Sequence, residues 1–218
     1  MLNTARSVQV SARFALDEEP QRSVLGGIWK RTFDVAIGAI VVVVLTPIMI
    51  ATAGLVRVLV GRPVIVTEER IGYKGSPFAH YAFRTVSETT EEFIDQNRHC
   101  RQSTNTRQAD VLGQALRFSG LEKLPELFNV VRGDMSLVGP RPITAKEFLR
   151  YRVRLPAYFY ARPGLTGIWR HVDRRRFRAA PTWRLAIDRH YVRCWSIQLD
   201  LLLLVKAIFA NQSERDIA

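Results

Sequence analysis

The segment from Val35 to Val56 carries no charged residue, and any fold of this chain must first find a place for it. A helix that is apolar on every face belongs inside a large core or a membrane, and about 20 such residues suffice to cross a bilayer. Trp29, Lys30 and Arg31 stand at its leading edge, where an amphipathic ring and two cations suit the headgroup layer. Pro47 falls near the middle of the run. It removes a backbone donor and crowds the preceding turn, so a kink is expected there. The Thr46 hydroxyl can satisfy a carbonyl that the proline frees. Arg31 and Asp34, spaced i,i+3, are placed to pair at the mouth of the helix. Two topologies satisfy this physics. A kinked spanning helix separates the preceding arm from the basic remainder, whereas a re-entrant helix leaves both on the cytoplasmic face.

The charge outside this run is strongly positive. The 218 residues carry a net charge of +12 and a pI near 10.5, which calls for an anionic partner: nucleic acid, an anionic membrane surface or a phosphorylated substrate. No RNA-recognition signature, zinc-finger spacing or helix-turn-helix pattern is visible, so nucleic acid is not expected. Basic charge flanking one apolar helix is instead the pattern of a protein held against lipid. The length fits one globular core with appendages. Residues 1–27 are polar and aperiodic and read as a flexible arm without the apolar core of a signal peptide. Cys100 and Cys194 lie far apart, as reduced cytosolic thiols do, and His80, His99, His171 and His190 do not cluster as zinc ligands.

The chemically densest stretch runs from Arg117 to Pro142. A short helical pattern carries Glu122, Lys123 and Glu126, with the two acids one turn apart on one face, or else the three form an ordinary solvated face. A turn at Gly133-Asp134 follows, then the apolar run Met135 to Val138, read as a buried strand. Gly139-Pro140-Arg141-Pro142 closes the stretch. Proline locks φ and glycine admits conformations closed to other residues, so this corner holds one arginine rigidly. A guanidinium fork so held matches two phosphate oxygens. The plain alternative is a turn that only closes the fold.

Elsewhere the signals are coarser. Pro63 to Val66 reads as a short strand with Phe78 to Thr85 as its partner, with Arg70 and Arg84 as solvated strand charge on the plain reading. A helix is expected from Thr89 to Cys100, then a loop to Asp110. Phe148 to Tyr160 reads as an amphipathic helix suited to the membrane interface. Arg162 to Gly167 is a stiff turn beside Trp169, and residues 174–178 form a cationic run. Pro181 opens a helix through Arg193, and Trp195 to Phe209, interrupted by Asp200 and Lys206, is interfacial or packed on the main domain.

Taken together, Lys30-Arg31 with Phe33-Asp34, Thr46-Pro47, Glu69-Arg70-Ile71-Gly72, Phe83-Arg84-Thr85, Leu124-Pro125, Asn129-Val130, the run from Gly133 to Pro142, the run from Arg162 to Trp169, Tyr191-Val192 and Trp195-Ser196 resemble the bacterial sugar transferases. These are monotopic phosphoglycosyl transferases that initiate exopolysaccharide assembly. The resemblance implies an α/β fold: a compact mixed domain (residues 61–210) on an N-terminal re-entrant membrane helix (28–60) broken at Thr46-Pro47, with interfacial amphipathic helices, an arm (1–27) and a tail (211–218). It implies the cytoplasmic face of the inner membrane. It also implies transfer of a phosphosugar from a UDP-sugar to undecaprenyl phosphate, with Mg2+ and a covalent intermediate on an aspartate.

Carried over residue by residue, Glu122 becomes the nucleophile, Arg141 and Arg84 phosphate clamps, and Arg31 the polyprenyl-phosphate contact. Lys30, Arg70, Arg162 and Arg174 join the substrate-binding set. Asp34, Thr46, Pro47, Pro140 and Pro142 are structural, and Glu122 with Glu126 would face the metal. The chain departs from the family pattern where Glu122-Lys123 replaces an Asp-Glu pair, where Thr106-Arg107-Gln108 replaces Asp-Pro-Arg, at Asp173-Arg174-Arg175, which replaces Gly-Arg-Asn, and at Ala82, which replaces a lysine. These departures leave a second reading open: a membrane-bound regulatory or assembly subunit without turnover, as a homo-oligomer or paired with an active relative.

Overall fold

The computed structural model describes residues 25–85, 104–145, 147–148, 156–171 and 181–209. The chain mixes helices and short strands behind an apolar N-terminal helix. Helix α1 (Gly27–Leu59) contains the whole apolar run and continues through Pro47 as one 33-residue helix. At about 1.5 Å per residue its length exceeds the roughly 30 Å of a bilayer core. The expected break at Thr46-Pro47 is therefore not a gap in helical structure. Thr46 donates its hydroxyl to the carbonyl of Val42 at 2.7 Å, a back-bond of the kind that bends helices without ending them. Ile40, Val43, Val44, Ile48, Ile50, Leu55 and Val58 all stay exposed along it, so no core among the described residues absorbs this surface. Beyond its end, Gly61 N–H donates to the Val56 carbonyl at 2.9 Å, and Pro63 follows.

Strands β1 (Ile65–Ile71) and β2 (Pro77–Phe83) form a hairpin, and β4 (Ile143–Thr144) adds antiparallel to β1, giving the order β2-β1-β4. The first strand thus begins later than Pro63 and runs through Arg70. Helix α2 (Thr104–Ser119) occupies part of the stretch expected to be a loop, while the helix expected from Thr89 to Cys100 lies outside the described residues. A 3-10 turn (Leu121–Lys123) then leads through Leu124-Pro125 into α3 (Glu126–Arg132). The single helical pattern expected around Glu122 is corrected to two pieces, because Pro125 lacks the N–H that would continue the first into the second. Glu126 in the first turn of α3 and Arg132 in the last complement the helix dipole.

Strand β3 (Ser136–Val138) pairs in parallel with β5 (Gly164–Thr166), in register Ser136 with Gly164 and Val138 with Thr166. Helices α4 (Pro181–Arg193) and α5 (Ile197–Phe209) complete the described chain, the first with the bounds expected from Pro181.

Two compact units result. One comprises residues 40–68 and 81–128. Its core gathers Met49 and Val56 of α1, Phe83 of β2 and Leu116 of α2, with Val64, Leu112, Leu121 and Leu124 packed around them. Gly113 is required here by close approach: any Cβ would collide with the Thr85 carbonyl. The other unit holds residues 1–39, 69–80 and 129–218. Phe148, Tyr158, Phe159 and Tyr191 are buried within it. The Phe148 and Phe159 rings meet edge to face at 5.7 Å, and the Tyr158 hydroxyl donates to the Ile71 carbonyl at 2.9 Å. The interfacial helix expected from Phe148 to Tyr160 is therefore corrected at its described end. Pro156–Tyr160 is a 3-10 turn whose aromatic rings serve the core rather than lipid.

Candidate active site

In the first of these units, Glu122 sits half-buried in the turn that the apolar neighbours Leu121 and Leu124 pin to the core. Burial pushes its carboxyl above the ordinary carboxylate range; Lys123 and Arg117 pull it down, and Glu126 pushes it further up. Burial of this kind lessens the water that would have to be stripped from a carboxylate before it could attack. Glu126 is buried and acts on Glu122 through charge, although the two are not on one helix. Among the described residues no three His, Cys, Asp or Glu side chains gather as ligands. The two carboxylates still fit magnesium, which needs only one or two from a protein when phosphate oxygens and water complete its shell. Arg84 is turned inward, 7% exposed, and donates to the Arg62 carbonyl at 2.6 Å. It braces the turn between α1 and β1.

The other unit is built on a buried polar network. Lys30 reaches Asp200 at 2.7 Å and Asp34 at 3.7 Å, and all three are under 7% exposed. Asp200 also accepts from the Trp195 indole at 3.0 Å and from the Tyr191 hydroxyl at 2.8 Å. That hydroxyl lies 2.9 Å from the Val138 carbonyl as well, so one proton serves two acceptors. Burial, reinforced by Asp200, raises the Tyr191 phenol far above its ordinary value and keeps it protonated. On the other side, Asp34 accepts the Ser136 hydroxyl at 2.7 Å and the Leu137 N–H at 3.3 Å. Lys30 thus enters the interior as a tie between α1, β3 and α5. The expected Arg31–Asp34 pair is corrected accordingly: Asp34 faces Lys30, four residues earlier on the same helix face.

Arg31 turns instead to the end of α3, donating to the carbonyls of Val130 at 2.7 Å and Val131 at 2.9 Å. Arg162 donates to the next turn's carbonyl, Gly133, at 3.0 Å. Both guanidinia meet the negative end of the α3 dipole, where the last carbonyls have no intrahelical donors. Arg162 also stacks over the Tyr73 ring at 5.5 Å. Arg70 reaches the Pro142 carbonyl at 3.4 Å, beside the loop that carries the half-exposed Arg141. Asn129, fully buried, donates to the Ala79 carbonyl at 2.6 Å and so joins α3 to β2. Arg174 lies outside the described residues.

Ser136, Tyr191, Trp195, Asp200 and the indole of Trp169, which donates to the Gly139 carbonyl at 3.1 Å, are site-building residues to which sequence reasoning assigned no role. One signal was available: an aspartate interrupting an otherwise apolar helix needs buried donors.

One unit thus carries a half-buried carboxylate and the other several held arginines, in a mixed helix-and-strand chain with one long apolar N-terminal helix. The sequence matches the family described as bacterial sugar transferase over residues 25–213. The exopolysaccharide production protein ExoY of Sinorhizobium fredii is 34% identical over 95% of this chain and 96% of its own, and the ExoY protein of Rhizobium meliloti is 35% identical over 84% and 85%. The undecaprenyl-phosphate galactose phosphotransferase of Salmonella typhimurium is 34% identical over 81% of this chain, which spans 39% of that longer protein. The chain belongs to the bacterial sugar transferase family.

Proposed function

We propose that this protein transfers a phosphosugar from a UDP-sugar to undecaprenyl phosphate at the cytoplasmic face of the inner membrane, initiating an exopolysaccharide or other surface glycan. The observation that carries this reading is the near end-to-end match to ExoY proteins, joined by the match to an undecaprenyl-phosphate galactose phosphotransferase. Glu122 attacks the β-phosphorus of the donor, forming a carboxyl-phosphate bond while the bond to the bridging oxygen breaks and UMP leaves with that electron pair. An oxygen of the lipid phosphate then attacks the same phosphorus and expels the Glu122 carboxylate, leaving a lipid diphosphosugar. Arg141 offers a two-pronged contact to the donor phosphates, and Arg31, Arg70 and Arg162 supply further positive potential. Magnesium, when bound by the diphosphate with Glu122 or Glu126, supplies charge neutralisation.

The membrane arrangement belongs to the same proposal. The apolar length of α1 supports insertion, and Pro47, which removes a backbone donor inside the helix, supports a re-entrant course with both ends cytoplasmic. On α5 the apolar residues Ile197, Leu201, Leu202 and Val205 stay exposed opposite the buried Asp200 and Leu203. The tie of Asp200 to Lys30 at the mouth of α1 supports an interfacial role for this face.

The test is UMP release by the purified protein in nanodiscs containing undecaprenyl phosphate, with magnesium and a panel of UDP-sugars. Release that disappears on chelation and in Glu122→Gln supports the proposal. Silence with every donor, from folded and membrane-bound protein, would overturn it in favour of the subunit without turnover.

A further inference from the structure

Two segments that are distant in sequence, Gly139-Pro140-Arg141-Pro142 and the run from Arg162 to Trp169, lock into one corner. Ser136 N–H donates to the Pro163 carbonyl at 2.9 Å, Gly139 N–H to Thr166 at 2.9 Å, and Gly164 N–H to Pro140 at 2.8 Å. The backbones approach so closely that a Cβ on Gly139 would collide with the Arg162 carbonyl, and one on Gly164 with the Gly139 nitrogen. The Gly139 carbonyl lies against Gly167, where a Cβ would collide with it, and it accepts the Trp169 indole at 3.1 Å. Trp169 is itself set in a 3-10 turn, closed by Arg170 N–H to Gly167 at 3.0 Å and His171 N–H to Ile168 at 3.0 Å. Both hydrogen-bonding groups of Gly139 are therefore held. Pro140 follows with a fixed φ, and Arg141 comes next.

We propose that Trp169 is a positioning residue: its indole N–H, bound to the Gly139 carbonyl, fixes the corner so that Arg141 meets an anionic diphosphate already aligned. The inference rests on the reading of Arg141 as a phosphate contact. The indole is only half-buried, so core filling alone does not explain a side chain whose one donor is aimed at this carbonyl. Catalytic and binding geometry tolerates little play, and misplacement of about 1 Å can cost roughly a hundredfold in rate.

The experiment is a double-mutant cycle of Trp169→Phe and Arg141→Ala in nanodiscs, read by UDP affinity and by UMP release. Residues that act as one unit show coupled losses, whereas independent ones multiply. Loss of a single neutral hydrogen bond is expected to weaken UDP binding about threefold to tenfold in the wild-type background. In the Arg141→Ala background the same substitution is expected to have no further effect. Equal losses in both backgrounds would assign Trp169 a general structural role and overturn the proposal. A silent Trp169→Phe beside a damaging Arg141→Ala would overturn the positioning role alone, while a silent Arg141→Ala would remove the phosphate reading beneath it. Benzothienylalanine at position 169, which keeps the bicyclic shape and deletes only the N–H, provides the same comparison if the phenylalanine variant does not fold.

Discussion

Lys30 and Asp200, 170 positions apart, meet as a buried ion pair with the ammonium 2.7 Å from Oδ2. The contact joins the first turns of α1 to α5, and through Asp34 and Ser136 it reaches β3. The same tie helps to keep β3, which leads into the Arg141 corner, in its place.

Breaking the pair from one side should therefore be costly. Lys30→Met leaves the Asp200 and Asp34 side chains without their cation in the interior, and removal of one partner of a buried pair costs about 3–5 kcal/mol. Thermal unfolding in detergent should show a large loss for Lys30→Met and partial recovery in Lys30→Met/Asp200→Leu, where Asp34, still held by Ser136 and Leu137, is the one carboxylate of the network left without its cation. A double variant no more stable than the single one would contradict this account.

Glu122 should make stability depend on pH in the direction opposite to a salt-bridged acid. Its folded carboxyl titrates above the ordinary 4.5 because burial disfavours the charged form. The folded state then holds the proton more tightly than the unfolded chain. The resulting stability is fully present below the unfolded value and is lost as pH rises through the folded one. Across that window the wild type should lose stability relative to Glu122→Gln, so the variant that loses turnover should be the more stable protein at neutral pH. Unfolding midpoints of the two proteins across acid to neutral pH test this, and a constant difference would refute it.

Gly139→Ala should fail for lack of space. The new methyl meets the Arg162 carbonyl, and neither backbone can yield without parting β3 from β5. Overpacking of this kind costs about 1–3 kcal/mol. Turnover should fall further than stability, because Arg141 moves with the corner. Unchanged turnover at reduced stability would show that the corner does not set Arg141.

The exposed middle of α1 should be intolerant of charge for a reason unrelated to folding contacts. Lysine near a membrane helix centre costs about 2.5–3.5 kcal/mol on insertion scales. Val43→Lys combined with Ile50→Lys, both at exposed positions, should move the protein from the carbonate-resistant membrane fraction toward the wash. Full retention in the membrane pellet would argue that α1 is covered by protein.

Much of the scaffold was written locally. The apolar α1, the hairpin around Gly72 to Gly75, the buried run before Gly139 and the bounds of α4 all follow from periodicity, proline and glycine within a few neighbouring residues. The helix beginning at Thr104 is hard to read from its sequence because that sequence opens on polar residues. The aromatic turn ending at Tyr160 differs from the expected interfacial helix because a run of rings looks alike whether the partner is lipid or core.

The division of labour between Lys30 and Arg31 shows where local reading ends. Their sequence determined that two cations would stand at the mouth of an apolar helix. Only the fold decided that one would enter a buried network with Asp200 while its neighbour would bind the carbonyls at the end of α3. The parallel pairing of β3 with β5, and with it the grip of Trp169 on Gly139, was likewise a tertiary decision. Periodicity and turn chemistry act over one or two turns of chain. The partner of a buried charge or of a strand edge is chosen instead by whichever distant group can satisfy it when water is excluded.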